Sequence, residues 1–186
     1  FPGWRTLTEL VVKSCDVCIR AYRGAAPRQT PLHPMLCSKP LETIQVDLVG
    51  PLPEGRMVDG QRGFKWILTA VDMYSRYLWC IPLRNKMADT VAAAIVHQIF
   101  LKGFWCENLQ SDNGQEFQSD LLRSINRLLE INQLRSTVYR PTSQGQVERG
   151  HSVLHSFMTK TINERHTDWP EKLSTFAFMY NSSVHS

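Results

Sequence analysis

Apolar positions alternate along Leu41–Val49, at Ile44, Val46 and Leu48, and the run stops at Gly50-Pro51. A period of two predicts a strand with one face in a core. Phe64–Asp72 and Tyr77–Leu83 are two more such runs, rich in aromatic and β-branched residues and separated by a Ser75-Arg76 turn. Together they predict a three-strand antiparallel meander. The period then changes. Over 86–101, Ala88, Val91, Ala92, Ile95 and Ile99 share one helical face, with Gly103 as the stop. A short strand near Trp105–Gln110 runs into Ser111-Asp112-Asn113-Gly114. Leu121, Leu122, Ile125, Leu128 and Leu129 predict a helix over 118–131, and Gln133–Val138 reads as the fifth strand. Val147, Leu154, Phe157, Met158 and Ile162 mark a long helix over 144–165, and Asp168 and Pro170 open a last one over 168–180. This order predicts an α/β layered fold with a five-stranded mixed sheet flanked by helices.

The chain ahead of that pattern is different. Residues 7–22 read as a short helical stretch around Cys15-Asp-Val-Cys18. Gly24 to Pro40 then holds Pro27, Pro31, Pro34 and Pro40 among basic residues with little periodicity, the signature of a linker. The main domain is therefore expected from residue 38. No run of about 18 apolar residues exists, so no transmembrane helix is expected. A start at Phe1-Pro2-Gly3-Trp4, with neither Met nor a leader, suggests a piece of something longer. Hydrophobic residues make up 42% and charged ones 20%, as in an ordinary globular protein. A net charge of +4 raises the odds of a nucleic-acid partner only slightly. Five cysteines, an odd number without framework spacing, read as reduced thiols inside a cell.

Acidic residues at strand ends carry the chemistry. Asp47 lies late in the first strand, Asp112 directly follows the fourth, and Glu148 opens the long helix beside Gly145. Three carboxylates turned together repel, and a divalent cation is the cheapest way to keep them ionised. Oxygen ligands without Cys or His partners suit Mg²⁺ or Mn²⁺ rather than Zn²⁺. Taken singly, Asp before Asn-Gly is a common turn and Glu early in a helix complements its dipole.

The segments Ile44-Gln-Val-Asp47-Leu-Val-Gly50-Pro51, Ser111-Asp112-Asn113-Gly114-Gln-Glu-Phe117 and Tyr139-Arg-Pro141-Thr-Ser-Gln-Gly145-Gln-Val-Glu148-Arg149 resemble the three signatures of the retroviral and gypsy-type retrotransposon integrase core. That family carries a D,D-35-E triad, and 35 residues separate Asp112 from Glu148 here. The resemblance covers residues 38–186 and implies an RNase H-like fold. It implies two Mg²⁺ or Mn²⁺ ions held by Asp47, Asp112 and Glu148, which trim the 3′ ends of element DNA and join them to target DNA. It also implies double-stranded DNA as partner, a homo-oligomer on paired DNA ends, release from a polyprotein and a nuclear location.

The same resemblance puts the stretch before Glu148 near DNA, so Tyr139, Gln144 and Gln146 are candidate contacts, against a reading as ordinary loop and cap residues. Asn113 orders the turn at Asp112 and is a further candidate. Arg149 and Lys160 could neutralise phosphates, as could Arg165, Arg123, Arg127, Arg135 and Arg140; the alternative for each is a solvated helix face. His151 and His155, four apart, lack the metalloprotease spacing, and the family usually shows Asn at the first position. Asp72 is either a fourth carboxylate near the site or a strand-end turn residue paired with Arg76. Cys15 and Cys18 are half of a tetrahedral zinc site, similar to the end of the family's His-His-Cys-Cys domain. Zn²⁺ is expected only if upstream His ligands exist. The expected division is 1–24 zinc-domain remnant, 25–37 linker and 38–186 catalytic core. Competing readings are a domesticated, non-catalytic DNA-binding module and another nuclease or transposase of the superfamily.

Overall fold

Strand-forming and helix-forming periods alternate along the chain, and the computed structural model follows that order. It describes residues 37–57, 59–135, 151–158 and 167–184, together with residues 3, 6, 10 and 14. The chain divides into two units, Phe1–Leu32 and His33–Ser186. In the first, Thr6, Leu10 and Ser14 are helical and exposed.

In the second unit, β1 (Thr43–Val49), β2 (Gly55–Arg56), β3 (Arg62–Phe64), β4 (Trp66–Asp72) and β5 (Leu78–Leu83) precede helix α1 (Ala88–Gln98). Then come β6 (Asn108–Ser111), α2 (Asp120–Leu128), β7 (Asn132–Arg135), helical residues 151–158 (α3) and α4 (Trp169–Asn181). The sheet order is β5-β4-β1-β6-β7. β1 runs antiparallel to β4 and parallel to β6, and β6 runs parallel to β7. The expected mixed sheet of five strands is therefore present.

Side chains on successive strand residues point to opposite faces, which splits the apolar residues into two cores. Ile44, Val46, Leu68 and Ala70 pack with Val91, Ala92, Ile95 and Leu122 on one face. Ile67, Val71 and Leu78 pack with Leu154, Met158, Trp169, Leu173 and Phe176 on the other. Ile67 to Asp72 of β4 is accordingly buried throughout, as a strand covered on both sides must be. A fully buried side chain such as Ile95 contributes about 1.5–3 kcal/mol relative to leaving it in water.

Several elements depart from the sequence pattern. Leu121, Leu128 and Leu129 of the second helical stretch are exposed, because α2 is short and turns only a narrow stripe around Leu122 and Ile125 to the core. The hairpin β2–β3 was not expected, since strands of two and three residues are too short to show a period. It is held by Arg56 N–H donating to Thr167 O at 2.8 Å and by Trp169 Nε1 donating to Pro53 O at 2.8 Å. At the sheet edge, Asn181 answers both backbone groups of Leu78, accepting from its N–H at 2.8 Å and donating to its carbonyl at 2.9 Å. That contact ties α4 to β5 and occupies part of an edge otherwise open to pairing.

Candidate active site

β1 and β6 lie side by side and point the same way, so their C-terminal ends meet at one rim of the sheet. Neighbouring strands are about 4.8 Å apart, and in sheets of this kind ligands gather at the carboxyl ends of parallel strands. Asp47 sits near the end of β1 and Asp112 is the first residue beyond β6. Two carboxylates 65 positions apart in the chain thus arrive at the same rim.

Backbone N–H groups fix both. Leu48 N–H donates to Asp47 Oδ1 at 2.7 Å, and Gly114 N–H donates to Asp112 Oδ1 at 2.9 Å, closing a turn over the aspartate. The space there is tight. A Cβ on Gly114 would lie 2.9 Å from Asp112 Oδ1 and 2.8 Å from Glu116 Cδ, so glycine permits this packing. A 3₁₀ turn, Gln115–Phe117, follows at once and brings Glu116 back beside Asp112.

The Asp47 carboxyl is pushed above the usual carboxylate range, chiefly by burial. The Leu48 N–H and the neighbouring His151 pull the other way, while the charges of Asp112 and Glu116 push it further up. His151 opens the described part of α3, on the stripe that carries Leu154 and Met158 toward the sheet. Its Nδ1 is 3.8 Å from Asp47 Oδ2 and its Nε2 is 2.8 Å from Thr69 Oγ1. The Thr69 hydroxyl also donates to the Asp47 carbonyl at 3.1 Å. One hydroxyl proton cannot serve two acceptors, so with that bond formed His151 Nε2 is the donor to Thr69. On the far side of Glu116, Lys86 approaches Glu116 Oε1 at 3.9 Å and lies over the Trp66 ring. A cleft of about 450 Å³ opens there between Lys86, Asp89, Gln115 and Glu116.

Of the residues singled out from the sequence, Asp47 and Asp112 come to one rim. Asn113 is exposed there, and its carbonyl accepts from Gln118 Nε2 at 3.2 Å. Glu148, Tyr139, Gln144, Gln146, Arg149, Lys160, Arg140, Arg165, Cys15 and Cys18 lie outside the described residues. Arg123 is engaged with Asp120 at 2.6 Å on the α2 surface, which is the solvated-face reading. Asp72 belongs to the opposite end of the sheet. Buried, it accepts from Leu41 N–H, Ser75 N–H and Ser75 Oγ, and so is the strand-end turn residue rather than a fourth carboxylate at the site. Among the described residues no group of three or more His, Cys, Asp or Glu is placed to hold a metal ion. Burial pushes the thiols of Cys80 and Cys106 up to about 12 and about 11, so neither is a nucleophile at neutral pH. Among the described residues no helix is long and apolar enough to cross a membrane.

Reading the sequence missed Glu116 and Thr69. Glu116 was within reach of inference, four residues past Asp112 in the same segment. Thr69 was not, because its partnership with Asp47 comes from the β1–β4 register.

Residues 38–142 match the family described as integrase core domain. The chain is 30% identical over 142 residues, 76% of its length, to the retrovirus-related Pol polyprotein from transposon 412 of Drosophila melanogaster. It is 31% identical over 174 residues, 93% of its length, to the Gag-Pol polyprotein of baboon endogenous virus. It spans only 11% and 10% of those two proteins. Its fold is similar to the catalytic core domain of BIV integrase, with a TM-score of 0.59 at 21% identity, covering 78% of this chain and 87% of that one.

Proposed function

Because the chain belongs to the integrase core domain family, of the retroviral and gypsy type and RNase H-like in fold, we propose that it cuts and joins DNA as a polynucleotidyl transferase. The observation that carries this reading is the meeting of Asp47 and Asp112 at adjacent strand ends, where burial above all, with the charges of Asp112 and Glu116 adding to it, pushes the Asp47 carboxyl up. Carboxylates so placed fit a divalent cation: a positive ion among them offsets their mutual repulsion and keeps both ionised. Asp47 and Asp112 would hold Mg²⁺ or Mn²⁺, with Glu148 completing the set. With a pair of such ions bound, the site would gain activation of the attacking oxygen and stabilisation of the leaving oxygen of a phosphodiester.

The chain's own part is to hold and orient. Leu48 N–H and Gly114 N–H each lock one carboxylate oxygen, Oδ1 of Asp47 and Oδ1 of Asp112. Thr69 and His151 brace the Asp47 backbone from the second core. The substrate is double-stranded DNA, element ends first and target DNA second, bound by a multimer in the nucleus. Asn113, Tyr139, Gln144, Gln146, Arg149 and Lys160 are the proposed DNA contacts. Cys15 and Cys18 are proposed as half of a zinc site at the end of a domain over 1–24, joined by a 25–37 linker to the core at 38–186.

The test is metal-dependent joining of oligonucleotide duplexes that mimic element ends. Joining with Mg²⁺ or Mn²⁺, lost in Asp112→Asn, is expected. A folded chain that binds DNA and joins nothing overturns the enzymatic reading.

A further inference from the structure

The hairpin β2–β3 has no part in the carboxylate site, and its charges are arranged at a cost. Arg56 and Arg62 are directly opposed in the ladder, so both guanidinium groups leave the same face of the ribbon, and both residues are exposed. Like charges directly opposite each other destabilise a strand pair. Among the described residues no carboxylate lies within salt-bridge distance of either. The nearby acids are occupied elsewhere: Asp59 accepts from the backbone and side-chain amides of Gln61, and Glu54 faces Lys65 at 3.9 Å.

Three more cations extend the patch. Arg84 lies over the Phe64 ring and reaches Gln61 Oε1 at 3.3 Å, Lys65 stands exposed between β3 and β4, and Lys86 follows β5. β1 and β5 both run antiparallel to β4, so Arg84 and Lys86 leave the sheet at the rim that also bears Asp47 and Asp112. Lys86 reaches the carboxylate region through Glu116 at 3.9 Å. The backbone beneath is fixed by Arg56 N–H on Thr167 O, Lys65 N–H on Leu83 O and Leu52 N–H on Lys65 O. Three guanidinium groups, Arg56, Arg62 and Arg84, have no acidic partner among the described residues, while Lys65 and Lys86 face Glu54 and Glu116; such a row on an anchored ribbon, running toward the proposed cleavage site, suits a long polyanion better than a single small one.

We infer that the Arg56–Arg62 ribbon, continued by Arg84, is a docking surface for the phosphate backbone of duplex DNA. The inference rests on the integrase reading and names where its substrate extends beyond the carboxylates. Guanidinium groups on phosphates read no sequence, so the contact is salt-dependent and indifferent to base order.

The experiment measures affinity of the full chain for a labelled duplex of arbitrary sequence over a salt series, by fluorescence anisotropy. Each lost phosphate contact lowers the slope of log affinity against log salt by about 0.9, so the double variant Arg56→Gln, Arg62→Gln should lose about 1.8. Across a fourfold rise in salt, its affinity should then fall about tenfold less than that of the parent. Arg56→Lys, Arg62→Lys keeps the charge and should keep the slope, which separates charge from folding. An unchanged slope in the Gln variant, or a parent that does not bind duplex, overturns the inference. Failure of the integrase reading is seen separately, as a parent that binds duplex with the expected slope and joins nothing.

Discussion

Gly114→Ala moves a carboxylate without removing one. Gly114 has φ −56 and ψ 139, values open to alanine, so the backbone is not strained. The added methyl would lie 2.9 Å from Asp112 Oδ1 and 2.8 Å from Glu116 Cδ, against an ordinary contact of at least 3.4 Å. Both side chains must retreat by roughly half an ångström before the van der Waals repulsion is relieved. The Gly114 N–H to Asp112 bond, 2.9 Å long, is the link this retreat strains. Misplacement by about 1 Å costs about 10²-fold in rate, so half that distance predicts about a tenfold loss, or about 1.4 kcal/mol of transition-state stabilisation. Stability should change by no more than about 0.5 kcal/mol, because the displaced atoms are ends of side chains near the surface. Single-turnover joining with Mg²⁺, beside a thermal melt, measures both. Joining at the parental rate would refute the placement of Asp112 at the reacting centre. A melt shifted enough to account for the loss would refute the claim that the effect is local.

Asp47→Asn tests the electrostatics of the rim. The folded state raises the Asp47 pKa, so the stability tied to its proton is fully present below the unfolded pKa and is lost as pH rises through the folded one. In chelator, the Asn variant should be more stable than the parent at neutral pH, with the gain vanishing on acidification; urea midpoints over a pH series read this, and a pH-independent difference would contradict it. Leu122→Ala removes a fully buried side chain where α2 meets the core, and a loss of about 2–5 kcal/mol is expected by denaturant unfolding. A loss below about 1 kcal/mol would mean that α2 is not packed as described.

Residues whose role follows from local pattern were legible before any coordinates. The alternation at Ile44 and Val46 placed β1, and the spacing of Val91, Ala92 and Ile95 placed α1 and its buried face. Gly103 stops that helical segment with φ 89, as a helix-ending glycine does. Asp47 and Asp112 stood out because one lies late in a strand and the other directly follows one. The same logic failed where an element was short. It missed β2–β3, and the leucine spacing of α2 did not show that Leu121, Leu128 and Leu129 stay exposed, because helical spacing defines a face but not how wide a stripe the neighbours cover.

By itself, the sequence determined the longer strands of the sheet and the helix over Ala88–Gln98, which residues are acidic at strand ends, and a motif order with a spacing of 35. These are properties of local period and residue type, carried by a few consecutive positions. Only the tertiary structure decided that Thr69 and His151 stand behind Asp47, that Asp72 closes a turn at the far end of the sheet, and that Arg56 faces Arg62. Those relations depend on strand register and helix docking. Both are fixed by burial shared among residues distant in sequence, and no single segment encodes them.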